Sequence, residues 1–486
     1  MFFKKKSIYL LIFSFFSILL ISSSCSSSDF SGKMDAGVTP GGSQDNGHVR
    51  ELIENGIVPR SEPFTYEGAF SEHDFFITNN SNCNNETCIE TVLSEYKPII
   101  QENLETKYIA QLIMSSNVDA SNFKHAPIDL FIVLDKSDSM AGDRFERSKE
   151  AIKSIIKKLN PEDSLGLITF DAVSDTERTL SPIASNIESI LAKVDSFEIG
   201  GSTDIESALK SAYQQLNSDG EKNNKRIILL TDARPNVNAT GEGEFLNLMK
   251  QYENEIGLTV FGVGIDFGQE LTKAISETVG GNYIFLPNIS DIDDRLNNEF
   301  EFLISPIANN FNLKIKSGEN FKILNSYGLP NNNTGEITLN AKTLFLSKSK
   351  GAIAIKFEYD NPNGEIIIPM NNEKVFSFEY SFENLDKVKF EKSENTFFSP
   401  FLTTSGNYSY TISGSEKLPF LVNMITALKK SCNLYSENKY QEAVTLLDKL
   451  LIDLNEVNSV LEDEQITREK SMIEKLKEII SKQLVK

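Results

Sequence analysis

The stretch Asp135-Lys136-Ser137-Asp138-Ser139-Met140 decides the fold of this chain. It directly follows the apolar run 128–134, which is typical of a buried β-strand, and a helical pattern over residues 144–159 comes next. A carboxylate and two hydroxyl groups therefore leave the carboxyl end of a strand on alternate residues. Ligands of open α/β sheets bind at that edge, and oxygen donors suit a hard divalent cation such as Mg²⁺.

Two later segments place further oxygen donors at equivalent points of the predicted sheet. Gly200-Gly201-Ser202-Thr203-Asp204 opens a helix and offers the hydroxyl of Thr203, and the apolar strand 226–231 is followed by Asp232. The combined set is Asp135, Ser137, Ser139, Thr203 and Asp232. It resembles the metal-ion-dependent adhesion site (MIDAS) of von Willebrand factor type A (VWA) domains. The alternative is a nucleotide-type α/β fold with polar strand ends and no metal.

The resemblance implies a bound Mg²⁺, or Mn²⁺ or Ca²⁺, held directly or through water by these five side chains. In the family such a cation keeps an open coordination position, which a Glu or Asp carboxylate of a protein partner completes. The family usually has glycine where this chain has Asp138. Because that position is not a ligand in the family, the departure leaves the expected site intact.

Apolar runs and helical patterns alternate from about residue 128 to 306, which predicts a parallel-rich sheet between helices. The predicted strands are 128–134, 164–170, 226–231, 258–265 and 282–285, and the helices include 144–159, 204–216 and 270–279. This is an α/β, Rossmann-like fold, and it is also the architecture of VWA domains. We therefore predict a VWA domain at 128–306.

The hydrophobic period changes to two beyond residue 309, as in Phe376, Phe378, Tyr380 and Phe382. Such alternation predicts a β-sandwich at 307–412, with its N-terminal part at 51–127, so that the VWA domain is inserted into this sandwich or flanked by it. This surround resembles bacterial YfbK-like proteins and inter-alpha-trypsin-inhibitor heavy chains. Residues 413–486 carry apolar helical stripes and predict a helical C-terminal segment.

The N-terminus has the pattern of an export signal. The basic triplet Lys4-Lys5-Lys6 precedes a short apolar run, and small residues lead to Cys25. A cysteine at this point resembles a bacterial lipoprotein processing site, although Ser22 stands where the family has Leu. The resemblance implies a signal peptide at 1–24, a lipid on Cys25, a flexible tether at 25–50 and a place in the bacterial cell envelope, at the outer membrane or cell surface. The alternative is an ordinary export signal with an incidental cysteine.

The remaining cysteines are interpreted from the predicted export, because an exported chain lies in an oxidising compartment. Cys83 and Cys88 are close in sequence, and in an exported chain they favour a disulfide that closes a small loop. A metal-binding pair is the alternative. Cys432 lies on an apolar helical stripe and is expected to be a buried free thiol.

The formal net charge of −21 opposes nucleic-acid binding, because such binding requires Lys and Arg to neutralise phosphates. The three histidines, His48, His73 and His125, form no zinc-protease motif and do not readily build a Ser–His–Asp set, so we do not expect an enzyme. We expect a membrane-anchored protein that captures a protein partner through its metal site. The alternative is a structural or envelope-assembly component whose metal site only stabilises the loops, and a protease-like enzyme ranks third.

Overall fold

The computed structural model describes most of the chain. The described residues are 35–39, 46–75, 87–100, 107–119, 125–184, 186–218, 224–233, 242–252, 256–264, 282–286, 296, 300–301, 304, 306–328, 335–347, 351–360, 369–384, 386–401, 403–405, 408–410 and 414–484. The predicted signal peptide, Cys25, Cys83 and the predicted helix 270–279 lie outside them.

Strands before and after the predicted VWA domain belong to a different sheet from those within it. The strands are β1 (Asp35–Thr39), β2 (Cys88–Tyr96), β3 (Lys107–Asp119), β4 (Ile128–Asp135), β5 (Ser164–Phe170), β6 (Ser174–Pro182), β7 (Asn224–Thr231), β8 (Gly257–Val263), β9 (Asn282–Leu286), β10 (Pro306–Ser317), β11 (Phe321–Tyr327), β12 (Ile337–Ser347), β13 (Gly351–Tyr359), β14 (Lys374–Asn384), β15 (Lys389–Phe397), β16 (Thr403–Ser405) and β17 (Tyr408–Tyr410).

Helices flank both sheets. Among the described residues, the α-helices are α1 (Gly47–Glu54), α2 (Tyr66–Ser71), α3 (Asp143–Ile156), α4 (Ile187–Asp195), α5 (Ile205–Ser218), α6 (Glu242–Tyr252), α7 (Lys417–Ser436), α8 (Tyr440–Leu461) and α9 (Glu464–Ser481). A single 3₁₀ turn, Asp138–Met140, lies between β4 and α3.

The inserted domain is built on a six-stranded sheet with the order β6-β5-β4-β7-β8-β9. Its central strand β4 is buried along its whole length because it faces a core on each side. Leu130, Ile132 and Leu134 point into the core that contains α3 and α4, whereas Phe131 and Val133 point into the core that contains α5 and α6. The predicted α/β fold, with helices on both faces of a parallel-rich sheet, is confirmed.

The six-stranded sheet of the described residues contains one strand, β6, that was not predicted from the sequence. β6 pairs antiparallel with β5 at the edge of the sheet, whereas the other neighbouring strands run parallel. Its residues are mostly exposed or half-buried, so it lacks the apolar run by which the other strands were recognised. An edge strand of this composition protects the sheet against unwanted pairing with other chains.

The VWA region interrupts a second sheet of eleven strands. β3, which precedes the VWA region, pairs antiparallel with β13, which follows it, and β2 pairs with β17. The sheet has two wings, β15-β14-β10-β12 and β11-β13-β3-β2-β17-β16, which β1 joins by pairing with both β12 and β3. The strands on either side of the insertion therefore form one unit.

The two wings face each other and enclose a shared apolar core, as a sandwich requires. Phe357 of β13 meets Phe376 of β14 edge to face, with 4.9 Å between ring centroids, although these strands are not paired. The alternating side chains of β14, which include Phe378, Tyr380 and Phe382, are buried in this core. Of the two predicted arrangements, the structure shows the α/β domain inserted into the β-sandwich.

A helical layer covers the outer face of one wing, and its extent differs from the predicted boundaries. The C-terminal helices α7, α8 and α9 share a core with α1 and α2 and with outward residues of the sheet such as Ile109 and Ala354. Residues 47–75, which we assigned to the tether and to the sandwich, therefore belong to this layer. Ion pairs connect the parts of this helical layer, since Arg50 pairs with both Glu72 (2.5 Å) and Glu469 (2.8 Å). The region predicted as a tether also contains β1.

The VWA region meets the sandwich through the amino ends of its parallel strands. Asn224, at the start of β7, donates its side-chain amide to the carbonyl of Ile304 at 2.7 Å, two residues before β10 begins. The wholly buried guanidinium of Arg226 lies over the ring of Phe345 in β12, 4.3 Å from its centroid. The opposite edge of the VWA sheet, where the parallel strands end, therefore points away from the sandwich.

A buried histidine joins the entry and exit of the inserted domain. His125, just before β4, contacts Asp163 through Nε2 at 2.8 Å and Glu301 through Nδ1 at 3.0 Å. Burial disfavours the charged imidazolium, but the hydrogen bonds and charges of these two carboxylates outweigh it and raise the pKa of His125 to about 9. The imidazolium thus bridges the segment that enters the domain and the segment that leaves it.

We predict that His125→Gln destabilises the protein in a pH-dependent way. Because the folded-state pKa lies above the usual value of 6.5, the stabilisation is complete below about pH 6.5 and disappears as the pH rises through 9. Urea unfolding followed by circular dichroism should show a loss of roughly 1–3 kcal/mol at pH 6 and little difference from wild type at pH 10. Glu301→Gln should give a smaller loss, since Asp163 remains. Equal losses at both pH values would assign the effect of His125→Gln to packing.

Candidate functional site

The candidate site lies where two adjacent parallel strands end. Asp135 is the last residue of β4, and Asp232 directly follows Thr231, the last residue of β7. These strands pair in parallel up to Leu134 and Leu230, so the two carboxylates leave the same edge of the sheet side by side. Both aspartates are fully buried at this edge.

Asp135 is held by two hydrogen bonds from opposite sides. Its Oδ1 accepts from the backbone N–H of Ser137 at 2.9 Å, and its Oδ2 accepts from the hydroxyl of Thr231 at 2.6 Å. Burial raises the pKa of Asp135 to about 6, the hydrogen bonds from Ser137 and Thr231 oppose this shift, and the charge of Asp232 adds to it. The two hydrogen bonds therefore fix the orientation of the carboxylate. Burial and the charge of Asp232 nevertheless disfavour its ionised form.

Two serine hydroxyls connect the loop after β4 to Asp232. The Oγ atoms of Ser137 and Ser139 lie 3.1 Å apart, and the hydroxyl of Ser139 donates to Oδ1 of Asp232 at 3.2 Å. The 3₁₀ turn that contains Ser139 brings this hydroxyl back toward the end of β7. Four of the five predicted residues thus form a continuous cluster of oxygen atoms.

Thr203 lies on a loop that is fastened to the same cluster through the backbone. The N–H of Gly200 donates to the carbonyl of Lys136 at 2.8 Å, and the N–H of Asp138 donates to the carbonyl of Gly201 at 3.0 Å. Gly201 has φ +89°, and a Cβ there would lie 2.9 Å from the side chain of Asp171, so the close approach of this loop requires glycine. The side chain of Thr203 is buried in this arrangement.

Two further residues belong to the site and were not predicted from the sequence. Thr231 fixes Oδ2 of Asp135, and Arg144 donates from Nη1 to Oδ2 of Asp232 at 2.9 Å and to the carbonyl of Ser139 at 3.1 Å. Thr231 could have been suspected because it stands at the end of a strand beside an acidic residue. Arg144 looked like any charged residue in the first turn of an amphipathic helix.

The donor set fits a hard divalent cation, because two carboxylates are complemented by hydroxyl oxygens. Asp135 and Asp232 supply charge, Ser137 and Ser139 lie beside them, and Thr203 belongs to the adjoining loop. In the described part of the chain, no point gathers three or more His, Cys, Asp or Glu side chains in a metal-binding arrangement.

The structure places only some of the predicted cysteine features. Cys88 is disulfide-bonded, but Cys83 lies outside the described residues, so the pairing of these two cysteines stays a prediction. Cys432 is a free buried thiol, as predicted, and burial raises its pKa to about 12. None of the helices in the described ranges combines the length and apolar character needed to cross a membrane.

Comparisons with known proteins agree with this geometry. The family profile of the von Willebrand factor type A domain matches residues 129–297. The uncharacterised protein YfbK of Escherichia coli is 28% identical over 218 residues, a match that covers 44% of this chain and 36% of YfbK. Human inter-alpha-trypsin inhibitor heavy chain H4 is 25% identical over 248 residues, covering 49% of this chain and 25% of the heavy chain.

Similarity to solved structures extends beyond the matched domain. A von Willebrand factor type A structure from Catenulispora acidiphila superposes with a TM-score of 0.50 at 12% identity, covering 82% of this chain and 91% of that one. This likeness concerns the fold alone. The matches span little more than a third of YfbK and a quarter of the heavy chain. Residues 129–297 of this chain form a von Willebrand factor type A domain, and the chain is similar to YfbK over 44% of its length and to human heavy chain H4 over 49%.

Proposed function

We propose that this protein captures a protein partner through a divalent cation held by Asp135, Ser137, Ser139, Thr203 and Asp232. VWA domains typically mediate protein–protein interactions. The observation that carries the proposal is the hydrogen-bonded cluster of Asp135, Ser137, Ser139 and Asp232 at the carboxyl edge of the sheet. The proposal assigns binding, not catalysis, to this chain.

The electrostatics of the cluster support a cation there. Two buried aspartates lie at neighbouring strand ends, and each raises the free energy of the other's ionised form. A bound Mg²⁺ would offset both charges and offer an open coordination position to a carboxylate oxygen of a partner. The chain's own part is to orient the donors: Thr231 and the N–H of Ser137 fix Asp135, and Ser139 fixes Asp232.

The orientation of the domain supports a role in capture. The amino ends of the parallel strands face the sandwich through Asn224 and Arg226, so the cluster lies at the opposite edge. A partner can therefore approach this edge without displacing the sandwich. The sandwich would act as a rigid mount for the domain.

We predict that metal raises the thermal stability of the wild type but not of Asp135→Ala. With Mg²⁺ well above its dissociation constant, the melting temperature should rise by roughly 2–8 °C over that in EDTA. Asp135→Ala should melt close to the wild type in EDTA, since it also removes a buried charge, and should show no rise with Mg²⁺. Differential scanning calorimetry with Mg²⁺, Mn²⁺ and EDTA measures this.

Asp175→Ala is the matched control for this experiment. Asp175 belongs to β6 near the same edge, its side chain is 53% exposed, and it pairs with Lys136 instead of the cluster. This variant should keep the full metal-dependent rise. The proposal fails if the wild type shows no shift with any of these cations at millimolar concentration.

Partner capture separates the proposed function from a purely structural metal site. Immobilised wild type should retain an envelope protein in Mg²⁺ and release it in EDTA, and Asp135→Ala should retain none. A metal-dependent melting shift without metal-dependent capture would favour the envelope-assembly alternative, in which the cation only stabilises the loops.

We also propose that the chain is anchored to a bacterial envelope membrane by a lipid on Cys25. The support is the sequence alone, in which a basic and apolar leader ends in small residues just before Cys25. In a bacterial host, metabolic labelling with a fatty-acid analogue should mark the wild type and spare Cys25→Ala, which should fractionate away from membranes. Equal labelling of the two proteins would rule out this anchor.

A further inference from the structure

An arginine from the first turn of α3 lies against the candidate metal site. Nη1 of Arg144 is 2.9 Å from Oδ2 of Asp232 and 3.1 Å from the carbonyl oxygen of Ser139. Asp232 is fully buried, and the arginine side chain is only 22% exposed. This ion pair is therefore shielded from solvent and is worth more than an exposed surface pair.

The backbone around Arg144 is shaped to accommodate it. Gly264 follows β8 with φ +85°, and a Cβ at this position would lie 2.4 Å from Nε of Arg144. Any other residue there would displace the guanidinium, so the backbone of Gly264 lies directly against Arg144. Arg144 is thus enclosed between the start of α3, the end of β8 and Asp232.

A second arginine on the same helix shows that this placement is specific. Arg147, one turn later, pairs with Asp143 on its own helix and donates to the carbonyl of Leu286 at 3.4 Å. Neither of these partners belongs to the oxygen cluster. α3 therefore offers two arginines of which Arg144 contacts a candidate ligand, and Arg147 is a natural control.

The two oxygens of Asp232 have different partners. Oδ1 accepts from the hydroxyl of Ser139, and Oδ2 accepts from Arg144. The arginine thus fixes the rotation of the carboxylate and leaves Oδ1 on the side of the serine hydroxyls. It also brings a positive charge close to the place where a cation would be held, and that charge repels a cation.

We propose that Arg144 is a positioning residue that sets the cation affinity of this site. Its charge offsets that of Asp232, keeps the cluster assembled without requiring a cation, and weakens cation binding so that the metal exchanges readily. This inference rests on the proposed function, because it concerns the same cation. It adds that the affinity is limited by a side chain that is not itself a ligand.

Three variants separate charge from geometry. Arg144→Gln keeps a hydrogen-bond donor but removes the charge, Arg144→Lys keeps the charge but loses the planar guanidinium, and Arg147→Gln is the control. Free Mn²⁺ is measured by electron paramagnetic resonance during titration of the full chain with MnCl₂, and Mg²⁺ affinity follows from competition with MgCl₂. The melting temperature in EDTA is measured in parallel.

We expect Arg144→Gln to bind Mn²⁺ about 5- to 10-fold more tightly than the wild type, because a nearby positive charge is gone. In EDTA it should melt below the wild type, because the buried charge of Asp232 then loses its ion pair with Arg144. Arg144→Lys should bind within about twofold of the wild type if charge controls affinity, and Arg147→Gln should match the wild type in both measurements.

The outcomes distinguish this inference from the function on which it rests. If the wild type binds Mn²⁺ but Arg144→Gln binds it equally or more weakly, the inference is wrong and the metal site stands. If Arg144→Lys behaves like Arg144→Gln, guanidinium geometry and not charge controls the site, and the inference is again wrong. If the wild type binds neither Mn²⁺ nor Mg²⁺ at millimolar concentration, the proposed function and this inference fall together.

Discussion

The constraint on which the site depends is the burial of two carboxylates at neighbouring strand ends. Asp135 and Asp232 are both removed from solvent, and each disfavours ionisation of the other. Neighbouring groups stabilise both carboxylates. Asp135 accepts hydrogen bonds from a backbone N–H and from Thr231, and Asp232 accepts them from Ser139 and Arg144. Each is a donor or a positive charge that offsets the buried negative charge, and a bound cation would do the same.

The way the domain is inserted explains why this site faces outward. In a parallel sheet all amino ends lie at one edge and all carboxyl ends at the other. The chain enters the domain before β4 and leaves it toward β10, and His125 bridges both segments. The sandwich therefore occupies the amino edge, and the loops of the carboxyl edge, which carry the oxygen cluster, remain at the far end. The insertion therefore attaches the domain by its amino edge and leaves the oxygen cluster at the opposite edge.

The parts that the sequence predicted are those with a local signal. Buried parallel strands are continuous apolar runs, so the fold could be predicted from the sequence. Polar residues directly after β4 and β7 must lie at the same edge of such a sheet, so the oxygen cluster could be predicted as well. Strand β6 was not predicted because an exposed edge strand needs no apolar face. The assembly of α1 and α2 with the C-terminal helices depends on buried pairs such as Arg50 with Glu469, which are more than four hundred residues apart. The role of Arg144 was not predicted for a similar reason, since its partner Asp232 is remote in sequence.

The net charge of −21 gives the cation a further role in the proposed capture. A partner carboxylate that approaches an acidic chain is repelled at long range, and two buried aspartates at the contact point add to that repulsion. A divalent cation between them reverses the sign of the short-range interaction, whereas Arg144 offsets only one of the two charges. In the proposed capture, binding of an acidic partner at this edge would therefore need the metal to turn repulsion into attraction. The long-range repulsion would then act against partners that cannot ligate the cation, so the acidic surface would contribute specificity and the metal would contribute affinity.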